Sequence, residues 1–117
     1  MGVRASAETL RSIPLFADCE PVHLQVLAFS AQRHDFAAGE HIVSQGSKGL
    51  AAFLILDGSV ELTRDDGKGA QRLGDAGPGA LIGEIAMIAG RSYSISAVAR
   101  SPVQAVLIDR QLFLRVA

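Results

Sequence analysis

Residues 41–63 read HIVSQGSKGLAAFLILDGSVELT. Three short apolar runs, His41 to Ser44, Ala52 to Leu56 and Ser59 to Thr63, are cut apart by Gly46, Gly49 and Gly58. A helix needs a longer window of 3.6-residue periodicity, whereas runs of four or five residues bounded by glycine fit strands. In the third run Val60 and Leu62 alternate with Ser59, Glu61 and Thr63, the two-residue period of a half-buried strand. Further runs lie downstream at Ala70 to Leu73, Tyr93 to Ala99 and Val103 to Ile108, with glycines recurring from Gly39 to Gly90 between them. Tyr93, Ile95, Ala97 and Ala99 oppose Ser94, Ser96 and Val98. Asp65-Asp66-Gly67-Lys68-Gly69 reads as a hairpin turn, because aspartate and glycine accept positive φ. Many short strands at such spacing predict an all-β sandwich or barrel from about His34 onward.

Helices flank and interrupt this pattern. Glu20-Pro21 places proline at a first helical position, and Val22, Leu24, Val26, Leu27 and Ala28 give an apolar face to a helix over roughly residues 20–31. A short turn around Leu10 ends before Pro14, and residues 1–9 read as a flexible tail ahead of a domain spanning 10–117. Glu84 to Ala89 is rich in helix formers and stops at Gly90. Leu112, Phe113 and Val116 recur at helical spacing at the chain's end.

Composition excludes several classes. At 117 residues with 49% apolar and 20% charged side chains, the chain has room for one core and is not disordered. Eleven basic and twelve acidic residues give a net charge of -1, which argues against nucleic-acid binding through bulk charge. The single cysteine, Cys19, can form neither an internal disulfide nor a multi-cysteine zinc site, and a cytoplasmic, reducing compartment suits it. No run approaches the length of a membrane span.

Chemistry concentrates in Gly79-Ala80-Leu81-Ile82-Gly83-Glu84 and the helix that follows. A helix opened by glycine leaves its first N–H groups without acceptors, and together with the positive end of the dipole they suit an anion such as phosphate. Gly83 lets the backbone approach a ligand closely, and the Glu84 carboxylate suits a sugar hydroxyl beside it. The plain alternative is a buried helical turn joining two strands, with Glu84 as a first-turn acid.

Beyond these local readings, the chain resembles the cyclic nucleotide-binding domain family over roughly residues 10–116. The resemblance rests on Leu15-Phe16, on Phe36-Ala37-Ala38-Gly39-Glu40, and on Gly46, Phe53, Gly58 and Val60 at the spacing of a glycine-bounded β-roll. It continues through Gly79, Gly83, Glu84 and Ala86 of a phosphate-binding cassette, then Val106 to Arg110 and Phe113. It implies a mainly β fold with flanking helices: an antiparallel β-roll, jelly-roll-like, of about eight short strands with a short cassette helix. It further implies ligand sensing without catalysis, with cAMP or cGMP as the ligand and no cofactor. Ile82, Gly83, Glu84, Ile85, Ala86, Arg91, Tyr93 and Ser94 are the candidate ligand-binding residues, with Leu73 beside Ile82 as a further apolar wall.

One departure bears on affinity. Where the family places an arginine against the cyclic phosphate, this sequence has Tyr93, with Ser92 in place of the preceding proline. Tyrosine donates one neutral hydrogen bond. A charge-assisted bond contributes about 1.5–3 kcal/mol, so its loss weakens binding about ten- to a hundredfold. Arg91, two residues upstream, either supplies the missing charge or is a solvated loop cation. The family's C-terminal lid helix is expected to be truncated here. Partners are then a cyclic nucleotide and either a second copy of the chain or an effector domain, with no nucleic acid or membrane bound by this segment alone. The rival reading is a degenerate module that keeps the roll and acts in protein interaction or dimerisation.

Other candidates carry little. Cys19 and His23 lack an orienting third group. His34, Asp35 and His41 lack metal-ligand spacing, and Asp65-Asp66 lacks the remaining ligands of a calcium loop. Gly77-Pro78-Gly79 fails the dinucleotide fingerprint, since Ile82 stands where its last glycine belongs.

Overall fold

The glycine-bounded runs fold as strands. A computed structural model describes residues 32–116 of the chain. In order these are β1 (Gln32–Phe36), β2 (His41–Val43), β3 (Ala51–Asp57), β4 (Val60–Asp65), β5 (Ala70–Ala76), β6 (Leu81–Ile82), helix α1 (Glu84–Ala89), β7 (Ser96–Ala99), β8 (Val103–Asp109) and helix α2 (Arg110–Val116). The helix expected over residues 20–31, with Cys19 and His23, lies outside the described residues.

Two four-stranded antiparallel sheets result, ordered β1-β8-β3-β6 and β2-β7-β4-β5. The expected mainly antiparallel β-roll with a short inserted helix is what the structure shows. Alternation decides which side faces inward. Val60 is fully buried and Leu62 packs on the same core, while Ala97 and Ala99 bury the inner face of β7. Phe36, Phe53, Ile55 and Val103 complete the apolar layer, the rings of Phe36 and Phe53 meeting edge to face at 5.7 Å. Such tilted contacts suit the ring quadrupoles.

Three details differ from the sequence reading. β1 is a polar strand, QRHDF, with only Phe36 buried; as an edge strand it needs no second apolar face. β6 has two residues and escapes any periodicity test. Tyr93 to Ile95 lies outside β7, because the Tyr93 backbone is claimed by a loop. Its N–H donates to Ser47 O at 2.8 Å and its carbonyl accepts from Gly46 N–H at 2.9 Å.

The Asp65–Gly69 turn forms as expected. Gly67 and Gly69 take φ of +97° and +107°, and the Asp65 carboxylate accepts from both their amides. Gln45 clamps the same hairpin, pairing its side-chain amide with both the N–H and the carbonyl of Asp65.

Candidate functional site

The Gly83–Glu84 turn connects β6 to α1, and local backbone chemistry sets its shape. Gly83 has φ +81° and ψ 10°, left-handed values that glycine takes without steric cost, and no side chain caps the helix there. A Cβ at this position would stand 2.7 Å from Cε1 of Tyr93, so glycine is also required by packing. The six-residue helix closes on Gly90, again left-handed at φ +68°. Its inner face buries Met87 completely, whereas Ile85 is 75% exposed.

Glu84 is half-buried at the first helical position. Burial pushes its carboxyl above the usual carboxylate range, and its own backbone N–H pulls the other way. An acid with a raised folded pKa is favoured in its protonated form, so folding is helped below the unfolded value near 4.5 and that help is lost as pH rises through the raised value. A Glu84→Gln variant therefore loses part of the pH dependence of its melting temperature above about pH 4.5, with the free protein no less stable at neutral pH. Thermal melts across a pH series check this, and an unchanged pH profile would refute it.

Tyr93 turns inward. Its side chain is buried in the main core cluster, and its hydroxyl donates to Ala51 O at 2.5 Å, tying the loop before β7 to the first residue of β3. Burial raises the phenol's pKa, opposed by the Ala51 hydrogen bond. The ring thus lies against Gly83 from inside the roll, with its one donor already engaged.

The remaining candidate residues divide between the two ends of α1. Ile82 is buried in the core opposite Phe53. Ala86 packs against the same core, and Ser94 is exposed. Leu73 on β5 is 49% exposed. Arg91 stands just beyond the C-terminal end of α1, its amide donating to Ala86 O and its carbonyl accepting from Gly49 N–H, both at 2.9 Å. Gly83 and Glu84 open the helix; Arg91 follows its close, roughly 9 Å of helix away.

Two residues at that far end escaped the sequence reading. Arg110 Nε donates to Met87 O at 2.7 Å, and its guanidinium lies where a Cβ on Gly90 would intrude. The Arg110 amide donates to Leu50 O at 2.8 Å. The start of α2 is thereby tied to both the residue just before β3 and the last turn of α1. Lys48 joins through an isolated bridge to Ser92. No local pattern links residues this far apart in sequence. Among the described residues no group of three His, Cys, Asp or Glu side chains is placed to hold a metal ion, and no helix is long and apolar enough to cross a membrane.

Comparison with known proteins places the fold. The family model described as cyclic nucleotide-binding domain matches residues 33–117. A solved cyclic nucleotide-binding-like protein from Brucella abortus is 31% identical, covering 95% of this chain and 96% of that one, with a TM-score of 0.84. The acetyltransferase Pat of Mycolicibacterium smegmatis is 30% identical over 107 residues, 92% of this chain but 32% of that protein. The chain thus spans about a third of the length of this curated relative. The regulatory subunit of a cAMP-independent protein kinase A from Trypanosoma brucei is 26% identical, covering 93% of this chain and 40% of that one, with a TM-score of 0.79.

Proposed function

Because the chain belongs to the cyclic nucleotide-binding domain family, we propose that it is a regulatory, non-catalytic sensor that takes cAMP or cGMP weakly through the Gly83–Glu84 turn. The observation that carries this reading is the turn itself: a left-handed glycine without a side-chain cap, followed by a half-buried carboxylate. The first amides of α1 would face the cyclic phosphate, and Glu84 would accept from the ribose hydroxyl.

Weakness follows from charge. Tyr93, where the family's arginine belongs, has its hydroxyl on Ala51, and Arg91 stands at the other end of α1. A phosphate at Gly83 would lack a charge-assisted partner and lose about ten- to a hundredfold in affinity. Output would pass through α2, which Arg110 ties to α1, as a shift between two positions of the helix pair. The greater length of the acetyltransferase relative supports an effector elsewhere in a longer protein.

Calorimetry with cAMP and cGMP tests the reading. We expect a saturable heat only at millimolar ligand, abolished in Glu84→Ala. No heat with either nucleotide would favour a second reading, an interaction module that keeps the roll without the ligand. The Tyr93 ring packed against Gly83 is the observation on that side.

A further inference from the structure

Three cations converge beyond the C-terminal end of α1. Lys48 from the loop before β3, Arg91 after Gly90, and Arg110 at the start of α2 line one open cleft of about 500 Å3, together with Ser92 and Leu50. Among the described residues no Asp or Glu lines it. The surface elsewhere is arranged differently: Arg33 pairs with Asp35, Arg100 with Glu61, and Arg72 with Glu61 and Asp75. Among the described residues neither Lys48 nor Arg91 has a side-chain ion pair or hydrogen bond. In a chain with eleven basic and twelve acidic residues, this is a local excess of positive charge.

Cations near a helix C-terminus also compensate its dipole. That accounts for Arg110, whose Nε holds the Met87 carbonyl. It does not account for Lys48, whose ammonium bonds no carbonyl of α1 among the described residues.

We propose that the cleft is a second ligand site, separate from the Gly83–Glu84 turn, for a small molecule carrying a phosphoryl group. Guanidinium groups present paired N–H donors that match phosphoryl oxygens, and lysine adds a mobile point charge. The volume falls within the roughly 300–1,000 Å3 usual for small-molecule sites and exceeds what a bare phosphate fills. Leu50, 62% exposed at the cleft, offers an apolar wall to the ligand's organic body. The proposal does not depend on whether a cyclic nucleotide binds at the other end of α1.

Amide NMR on the 117-residue chain at constant ionic strength tests it, with inorganic phosphate and phenyl phosphate as probes. We expect saturable shifts at Lys48 to Leu50 and Gly90 to Ser92, with phenyl phosphate binding more tightly than phosphate. A Lys48→Gln/Arg91→Gln double variant, altering exposed side chains, should keep the spectrum of the folded protein and lose at least about tenfold in affinity. Shifts reproduced by chloride, shifts centred on Gly83 and Glu84 instead, or unchanged affinity in the double variant would each overturn the proposal.

Discussion

A Gly58→Ala variant melts roughly 10–20 °C below the parent protein. Gly58 carries the chain from β3 in one sheet to β4 in the other, at φ +102°. Alanine at such an angle costs about 1–2 kcal/mol in backbone strain. The new methyl would also stand 2.4 Å from Pro102 O and 2.8 Å from Val103 Cγ2. Backbone cannot swing aside as a flexible side chain does, so overpacking adds about 1–3 kcal/mol. The sum is a large part of a domain's total of about 5–15 kcal/mol. Gly39→Ala is the control, with φ +92° and nothing within 4 Å of the added carbon. It should show the backbone part alone. Equal losses in the two variants, measured by thermal or denaturant melts, would show that contact with Pro102 and Val103 is immaterial.

Tyr93→Arg couples stability to ligand. Tyr93 is 8% exposed and packs with Ala51, Ile82 and Ala97 in the core, so a guanidinium there is desolvated and loses the ring's contacts. An unpaired buried charge costs about 3 kcal/mol or more. A cyclic phosphate against Gly83 would supply the missing counter-charge. Without ligand the variant melts well below the parent; in millimolar cAMP its melting temperature rises much further than the parent's, because a ligand that binds only the folded state stabilises it in proportion to ligand concentration over Kd. If cAMP leaves the variant's melt unmoved, the Gly83–Glu84 turn does not seat a cyclic phosphate.

The sequence showed much of this architecture for physical reasons that are easy to name. Val60 and Leu62 alternate, Gly58 and Gly83 break runs at left-handed turns, and Asp65 to Gly69 carries hairpin chemistry; each is a local property written within a few residues. β1 stayed hidden because an edge strand can be polar, as Gln32 to Phe36 is. At the candidate site, alternation put Tyr93 on the same side as Ala97 and Ala99, which burial bears out. The atom that accepts its hydroxyl hydrogen bond, Ala51 O, is 42 residues away and no local pattern points to it. The cleft of Lys48, Arg91 and Arg110 is likewise assembled from three distant segments and exists only once both sheets have formed.

β8 lies between β1 and β3, pairing with both along nearly its whole length. It is the second-last element of the described chain, yet it is central to its sheet. Synthesis starts at the N-terminus, so β1 and β3 must wait for Val103 to Asp109 to emerge before their shared ladder can close. Contacts of such long sequence separation slow folding. Until that strand arrives, the nascent polypeptide carries the apolar strand β3 with this edge unpaired, and it is there that a chaperone would have most to hold.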